Sequence, residues 1–467
     1  MDVGVSAAVV RRFVDPMFAL MYEIGHPVRK SPEPPPIRHI SRAARPRRRA
    51  TLRPMTDLSS TAGVVVRPAA AGRLRRLGAA ALSLLVATAV WLPCLHLFFR
   101  SEPGEHRASG ALSPRGQALL AHQLSLWEED SAAQDAALAR MRAANAEWDF
   151  MGRTFLVLGL ANAALRDPGA QARHLAVIDR IVDETLAIER ERGMLHFMMP
   201  YATRRPFVQQ PARSLFVDGE IALMLGARAL VARRADHEAE LDARVAEMRS
   251  RMERSPVLSA ESYPDECWTF CNTLALSAMR MADALHGERR GLDLGRRWLA
   301  AARARLLDPK TGLLVSSYTH DGRILDGPEG SSLWLVAHAL LLIDPDFARD
   351  QYARARRELG AELLGFGWAR EWPRSWAGPE DVDSGPIVPL VGASAGSSGL
   401  ALLGAAAFGD APYLGGLLTS LELAAFPIRE GDRLRYAASN QVGDAALLYA
   451  LSFGPLWERI AGAGGAP

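Results

Sequence analysis

Across the C-terminal two-thirds of the chain, segments nearly free of charge alternate with segments whose charges recur at helical spacing. The uncharged ones run approximately over Asp149–Leu165, Val217–Ala229, Cys267–Met281, Ser331–Leu342, Ala393–Phe408 and Val442–Phe453. Between them lie Gln171–Arg192, Ala235–Arg254, Leu292–Leu307, Pro345–Leu364 and Ala411–Ala424. A helix apolar all round must be surrounded by protein, whereas one with a charged face can coat a surface. The alternation therefore predicts an all-α fold in which an inner ring of about six helices is wrapped by an outer ring of about six: an (α/α)6 toroid of helical hairpins.

Consecutive hairpins make all inner helices parallel, so their N-termini open on one face. That face is expected to collect Glu147, Trp148 and Asp149; Asp218 and Glu220; Asp265, Glu266 and Cys267; Glu329 and Ser331; Asp381, Asp383 and Ser384; and Asn440. Each carboxylate alone is explained by the positive end of a helix dipole. Six helix ends at one concave mouth ask for more.

Toward the N-terminus the pattern changes. Leu77–Phe99 holds no acid, Lys or Arg, and is long enough to cross a bilayer core of roughly 30 Å. Arg73, Arg75 and Arg76 precede it, a bias that keeps the N-terminus cytoplasmic and sends the C-terminal domain across. The competing reading is a long signal peptide. Residues 1–76 carry 15 Lys or Arg against 5 acids, read as a basic, disordered cytoplasmic segment, with Met55 as an alternative start. No aromatic residues are interleaved with Arg42, Arg45, Arg47, Arg48 and Arg49, so a nucleic-acid partner is not expected. Residues 100–113 read as a linker, and 114–467 as the toroid, beginning with a helix near Pro114–Ala144. Asp308–Gly330 reads as a hairpin-like excursion around Asp321-Gly322. Gly365–Pro389, rich in Trp, Pro and Asp, reads as the longest stretch without regular structure, and loops of that length often carry function.

The 3 cysteines are too few for a disulfide framework. Cys267 and Cys271, four apart on one helix, suit neither a mutual disulfide nor, lacking nearby His, a zinc site. No metal is expected.

The run Glu261-Ser262-Tyr263-Pro264-Asp265-Glu266-Cys267-Trp268-Thr269-Phe270-Cys271-Asn272, with Leu285–Gly287, Leu307–Pro309 and Ile343–Phe347, resembles the bacterial linalool dehydratase/isomerase family, patchily over about Asn145–Leu456. The resemblance implies an (α/α)6 barrel that works without a cofactor, removing water from a tertiary terpene alcohol and isomerising it to the primary allylic alcohol. It places the family's second active-site cysteine on Cys271 and its aspartate on Asp265. Its first cysteine falls on Ser262, a pocket histidine on Glu220 and a pocket tyrosine on Ser331.

Dehydration needs an acid to protonate the departing hydroxyl, a base to remove a proton, and shelter for the cation. Carboxylates with separated pKa values can divide those roles. The candidates are Glu220, Asp265, Asp149, Asp383 and Glu329, with Cys271 beside them; for Asp149 and Asp383 helix capping is the competing role. Trp148, Phe150, Tyr201, Trp268, Tyr318 and Trp334, with Glu329 and Ser331, are candidates to line a pocket for a small-molecule substrate, although aromatic residues at such positions commonly serve the core. Two other classes fit the same frame: a carbohydrate-active hydrolase or epimerase using paired acids and the Trp368–Asp383 loop, and a non-catalytic envelope module. Fold alone does not choose between them.

Overall fold

The computed structural model describes residues 69–102, 104, 110–128, 139–380, 384–385 and 387–463, so Asp381 and Asp383, like the basic segment before residue 69, lie outside the described residues. The chain divides into two compact units at Pro93/Cys94. In the first, the described residues form helix α1 (Ala69–Cys94), whose apolar side chains, Leu77, Leu82, Leu84 and Leu85 among them, are exposed. The stretch Arg75–Phe98, with a mean hydropathy of 1.9, is long and apolar enough to cross a membrane.

The second unit opens with a 3-10 turn, Leu95–Phe98. It continues through α2 (Pro114–Glu128), a helical stretch at 139–144, α3 (Ala146–Arg166), α4 (Gln171–Arg192), α5 (Leu215–Val231) and α6 (Ala235–Arg254). Next come β1 (Cys267–Trp268), α7 (Thr269–His286), α8 (Arg290–Arg305), β2 (Ser317–Tyr318), β3 (Ile324–Asp326), α9 (Gly330–Leu340) and α10 (Pro345–Glu358). The chain ends with β4 (Gly360–Leu363), β5 (Phe366–Ala369), β6 (Ile387–Val388), β7 (Ala393–Ser394), α11 (Ala395–Ala407), α12 (Ala411–Ala424), β8 (Pro427–Glu430), β9 (Arg433–Tyr436), α13 (Gln441–Ser452) and α14 (Pro455–Ala463).

The odd-numbered helices from α3 to α13 form a closed ring: each packs on the next, and α13 returns to α3. Outside it, α4 covers α3 and α5, α6 covers α5 and α7, α8 lies on α7, α10 on α9, α12 on α11, and α2 lies on α13 and α4. This is the (α/α)6 toroid that the alternation predicts. All of α5 is buried, whereas α6 buries His237, Leu241, Arg244, Met248, Arg251 and Met252, one stripe at helical spacing. The ring helices run parallel: Gly152 of α3 meets Val442 of α13 and Gly159 meets Leu448, while Gly219 and Gly226 of α5 meet Ala275 and Met281 of α7. Helix α14 packs on α3, α5 and α7 at the end of the ring opposite the N-termini. There Tyr449 and Trp457 enclose His338, whose Nε2 lies 3.0 Å from the Tyr449 hydroxyl. Burial pushes His338 down to about 3, so it is a neutral core residue.

The loops at the N-terminal face hold short antiparallel strands. Sheet β1-β2-β3 pairs Cys267 with Tyr318, so α7 starts at Thr269 and Cys267 belongs to a strand. The stretch read as structureless from Gly365 contains β5, paired with β4 across a two-residue turn, and α10 ends at Glu358 rather than Leu364. Both turn residues, Leu364 (φ 51) and Gly365 (φ 83), are left-handed, as the tightest hairpins require. A leucine in the first position hides that turn from sequence reading.

Candidate active site

Side chains other than the acids cap most of the ring helices. Asn145 accepts from Glu147 N, Ser214 from Val217 N, Ser394 from Ser397 N and Asn440 from Gly443 N, each such cap stabilising its helix by about 1 kcal/mol. The acids of α3 and α5 are thereby released from the capping role. What they do depends on helix phase. Asp149 turns outward: it pairs with Arg142 and, at 3.2 Å, with Arg153. Arg153 in turn reaches Glu184 of α4 at 2.8 Å and lies over the Trp127 ring. Asp218 likewise faces α6, paired with Arg213 and, at 2.9 Å, with Arg244.

Glu147 and Glu220 are close enough for the charge of one to act on the other. Glu220 sits in the second turn of α5 and is buried. Burial pushes its carboxyl up to about 8, the negative charge of Glu147 pushes the same way, and the neighbouring Thr154 hydroxyl of α3 opposes both. On the next helix, Cys271 lies in the first turn of α7, with the Ser262 hydroxyl beside it. Burial raises its thiol well above the usual value, and Glu220 and Glu147 add to the rise, so Cys271 is a neutral thiol rather than a thiolate. Three consecutive ring helices thus bring Glu147, Glu220 and Cys271 together.

The loop before α7 completes the group. The Tyr263 hydroxyl donates to Glu147 Oε1 and accepts from Met199 N at 2.9 Å. With one lone pair occupied by the amide, its single proton is committed to the carboxylate. Tyr201 stacks on Tyr263 at 4.5 Å between centroids. The loop is held from behind by Glu261, fully buried, which accepts from the backbone amides of Val208 (2.9 Å), Gln209 (2.7 Å) and Asp265 (2.6 Å).

The other candidates are placed as follows. Asp265, at φ 53, is in the left-handed region, and its carboxylate accepts from His320 N at 3.2 Å, tying the loop to the β2–β3 turn. The carboxylate acting on Glu220 is Glu147, not Asp265. Trp148 and Trp268 are half-buried at the rim, Trp268 with its amide 3.4 Å from Ser262 Oγ. Tyr318 is core: its hydroxyl lies 2.7 Å from Ser259 Oγ, which also accepts from Trp298. Glu329 donates its amide to Ser316 Oγ at 2.9 Å at the start of α9. Trp334 is buried and bonds Ser397 Oγ at 3.0 Å. Ser331 donates its amide and its hydroxyl to Glu371, which also accepts from Ser394 (2.6 Å) and Ser384 (3.1 Å). In the loop after β5, Trp372 and Trp376 stack on each other at 5.3 Å. Glu371 was beyond sequence reasoning, since it acts through an amide and hydroxyls far along the chain; Glu261 and Tyr263 stood inside the motif, but only the fold shows the first holding the amides of Val208 and Gln209 and the second reaching α3.

A groove of about 510 Å³ lies among α4, α5 and α6, and its charged residues Arg213, Asp218, Arg244 and Glu189 are engaged with one another.

Comparison with known proteins agrees with the resemblance seen in the motif. The linalool dehydratase/isomerase family matches residues 232–442, a stretch that runs from α6 to the start of α13 and includes Cys271 but not Glu147 or Glu220. No curated protein matches the chain. Among solved structures, it is similar to a GH76 α-mannanase from Bacteroides thetaiotaomicron (12% identity, TM-score 0.42, covering 67% of this chain and 87% of that one). It is also similar to a GH76A α-1,6-mannanase from Salegentibacter sp. (9%, TM-score 0.43, 65% and 88%) and to an unsaturated glucuronyl hydrolase from Bacillus sp. GL1 (10%, TM-score 0.44, 72% and 95%).

Proposed function

We propose that the chain is a lyase or isomerase of the linalool dehydratase/isomerase type, acting on an apolar allylic alcohol in the toroid mouth, with Glu220 as acid and Glu147 as base. The observation that carries this reading is the unequal environment of two neighbouring carboxyls: Glu220 is buried and pushed up to about 8, while Glu147 receives the Tyr263 proton in a hydrogen bond. At neutral pH the first holds a proton to give and the second a lone pair to accept one.

In the proposed reaction the Glu220 carboxyl protonates the substrate hydroxyl, and the C–O bond breaks with its electron pair leaving as water. Glu147 takes a proton from the carbon next to the cation, and that C–H pair becomes the new double bond. Glu147 is then protonated and Glu220 ionised, and a proton passing from one to the other restores both. Return of water to the far end of the allylic cation, with one of its protons going back to the Glu220 carboxylate, gives isomerisation instead. Cys271, a neutral thiol, lines the site and supplies no nucleophile. The family match over residues 232–442 supports this class; both the acid and the base of the site lie outside the matched stretch, which contributes Cys271.

The test is turnover by membranes carrying the full chain, offered a panel of tertiary allylic terpene alcohols, with diene and primary alcohol read by gas chromatography. Glu220→Gln and Glu147→Gln should each lose on the order of 10²–10⁴-fold in kcat, Cys271→Ala should lose less, and Asp265→Asn should lose least. Full activity in Glu220→Gln would end the assignment.

The apolar segment Arg75–Phe98 serves, in this reading, as a single-pass anchor with the toroid outside the cytoplasm, supported by Arg73, Arg75 and Arg76 on its N-terminal side. A reporter enzyme that works only outside the cytoplasm, fused after Pro467, should be active; activity only of a cytoplasmic reporter would reverse the orientation.

A further inference from the structure

We propose that the toroid rests on the surface of a phospholipid bilayer through an apolar patch beside its mouth, with the tips of two β-hairpins immersed in the interface. The inference rests on reading Arg75–Phe98 as a membrane span, and extends it from a tether to a docking geometry.

Two hairpins expose leucines where turns are ordinarily polar. The β4–β5 tip presents Leu363, 59% exposed, and Leu364; the β6–β7 tip presents Leu390, fully exposed, and Val391. The tips belong together, because Trp368 of β5 donates its indole N–H to Val391 O at 3.0 Å. Both hairpins are fixed to the rim: Ala369 N donates to Ser398 Oγ of α11 at 2.9 Å, and the first amide of α9, Gly330 N, donates to Glu371 O at 2.7 Å. The patch therefore adjoins the N-terminal ends of the ring helices, where the mouth opens.

The third contribution identifies the occupant. Within the same unit, the last residues of the apolar stretch pack on the β4–β5 tip, with the His96 and Phe99 rings 6.5 and 6.4 Å from Phe366. A Cβ at position 365 would lie 2.5 Å from the His96 ring, so this contact depends on Gly365. Leu97 and Phe98 are left facing outward, Phe98 at 70% exposure. The patch is thus continuous along the chain with a 24-residue apolar helix none of which is buried. Contiguous apolar surface on a folded domain marks an interaction site. A span ending at Phe98 brings hydrocarbon and headgroups to the patch without a diffusional search, and Trp368 at its margin suits the membrane–water boundary. An alcohol dissolved in the bilayer would then meet the mouth at the membrane surface.

The test places a nitroxide label on the full-length protein in phosphatidylethanolamine/phosphatidylglycerol vesicles, in a Cys94→Ala background, at Leu390→Cys, Leu363→Cys, the mid-helix site Leu85→Cys, and the exposed site Ala243→Cys on α6, across the ring. Collision rates with oxygen and with a water-soluble nickel chelate report depth. The expected result is oxygen-dominated collision at 390, 363 and 85, and nickel-dominated collision at 243. If 390 and 363 behave like 243 while 85 remains in lipid, the anchor stands and the docking is wrong. If 85 is also aqueous, the anchor reading fails and takes this inference with it. Shielding of 390 and 363 from both reagents would mean that protein, such as a second copy, covers the patch, which also overturns the proposal.

Discussion

Two residues apart on one helix, Glu147 and Asp149 point about 200° from each other, and that angle separates a group bonded to Tyr263 of the loop before α7 from an ion pair facing α4. Sequence reading took Asp149 as the candidate because both acids sit at a helix start; the phase of α3 was not legible from the acids alone. The burial of Glu220 was legible, since it sits among the apolar residues of a ring helix. Asp265 lay in the most specific motif, yet its left-handed backbone carries its carboxylate to His320 N. Raised carboxyls carry a stability signature with a definite sign. Glu220 moves from 4.5 to about 8 and Asp444 of α13 from 3.8 to about 7, each mainly through burial. Each is neutral when folded, so its contribution is fully present below the unfolded pKa and is lost as pH rises toward the folded one. Glu220→Gln and Asp444→Asn, uncharged throughout, should therefore raise Tm relative to wild type at pH 8.5 and change it little near pH 4. Thermal unfolding at the two pH values checks this; an equal effect at both would show that the carboxyls are not titrating in that window.

Helices were the most legible elements, because a charged stripe and an uncharged cylinder differ in every turn: α4 and α6 run over the ranges the charges mark. Short strands were legible only where a turn dipeptide marks them, as at Asp321-Gly322 between the paired β2 and β3; two-residue strands such as β1 have no period to read, and the Leu364-Gly365 turn lacks the usual Asn or Asp. Close packing at the rim gives a matched pair of tests. A Cβ at Gly330 would lie 2.1 Å from Ser397 Oγ and 2.3 Å from the carbonyl oxygen of Arg370, which cannot rotate away. Gly330→Ala should therefore destabilise by about 1–3 kcal/mol. At Gly219 the nearest atoms are those of Ala275 at 3.6 Å, ordinary contact, and Gly219→Ala should be neutral or stabilise by about 0.5–1 kcal/mol through the helix backbone. Denaturant melts of the two variants distinguish the cases; similar behaviour would mean that the α9–α11 contact is looser than described.

The ring is what makes a site out of scattered residues. Six parallel helices place their first two turns on one circle, so that side chains from α3, α5 and α7, far apart in sequence, converge with a tyrosine from the loop before α7. That convergence was expected from the alternation of charge, but its membership was not, because which face of each helix looks inward depends on contacts such as Gly152–Val442 and Gly219–Ala275 that no single segment reveals. The barrel's other end is filled by His338, Tyr449 and Trp457. The central claim is that the convergence of side chains keeps Glu220 protonated at neutral pH beside a charged Glu147. The most direct measurement is an infrared pH titration of the protonated-carboxyl stretch, taken as wild type minus Glu220→Gln and repeated in a Glu147→Gln background. The account predicts a protonated Glu220 at pH 7 that ionises near pH 8, with the midpoint moving down once Glu147 loses its charge. A Glu220 already ionised at pH 7, or a midpoint indifferent to Glu147, would contradict it.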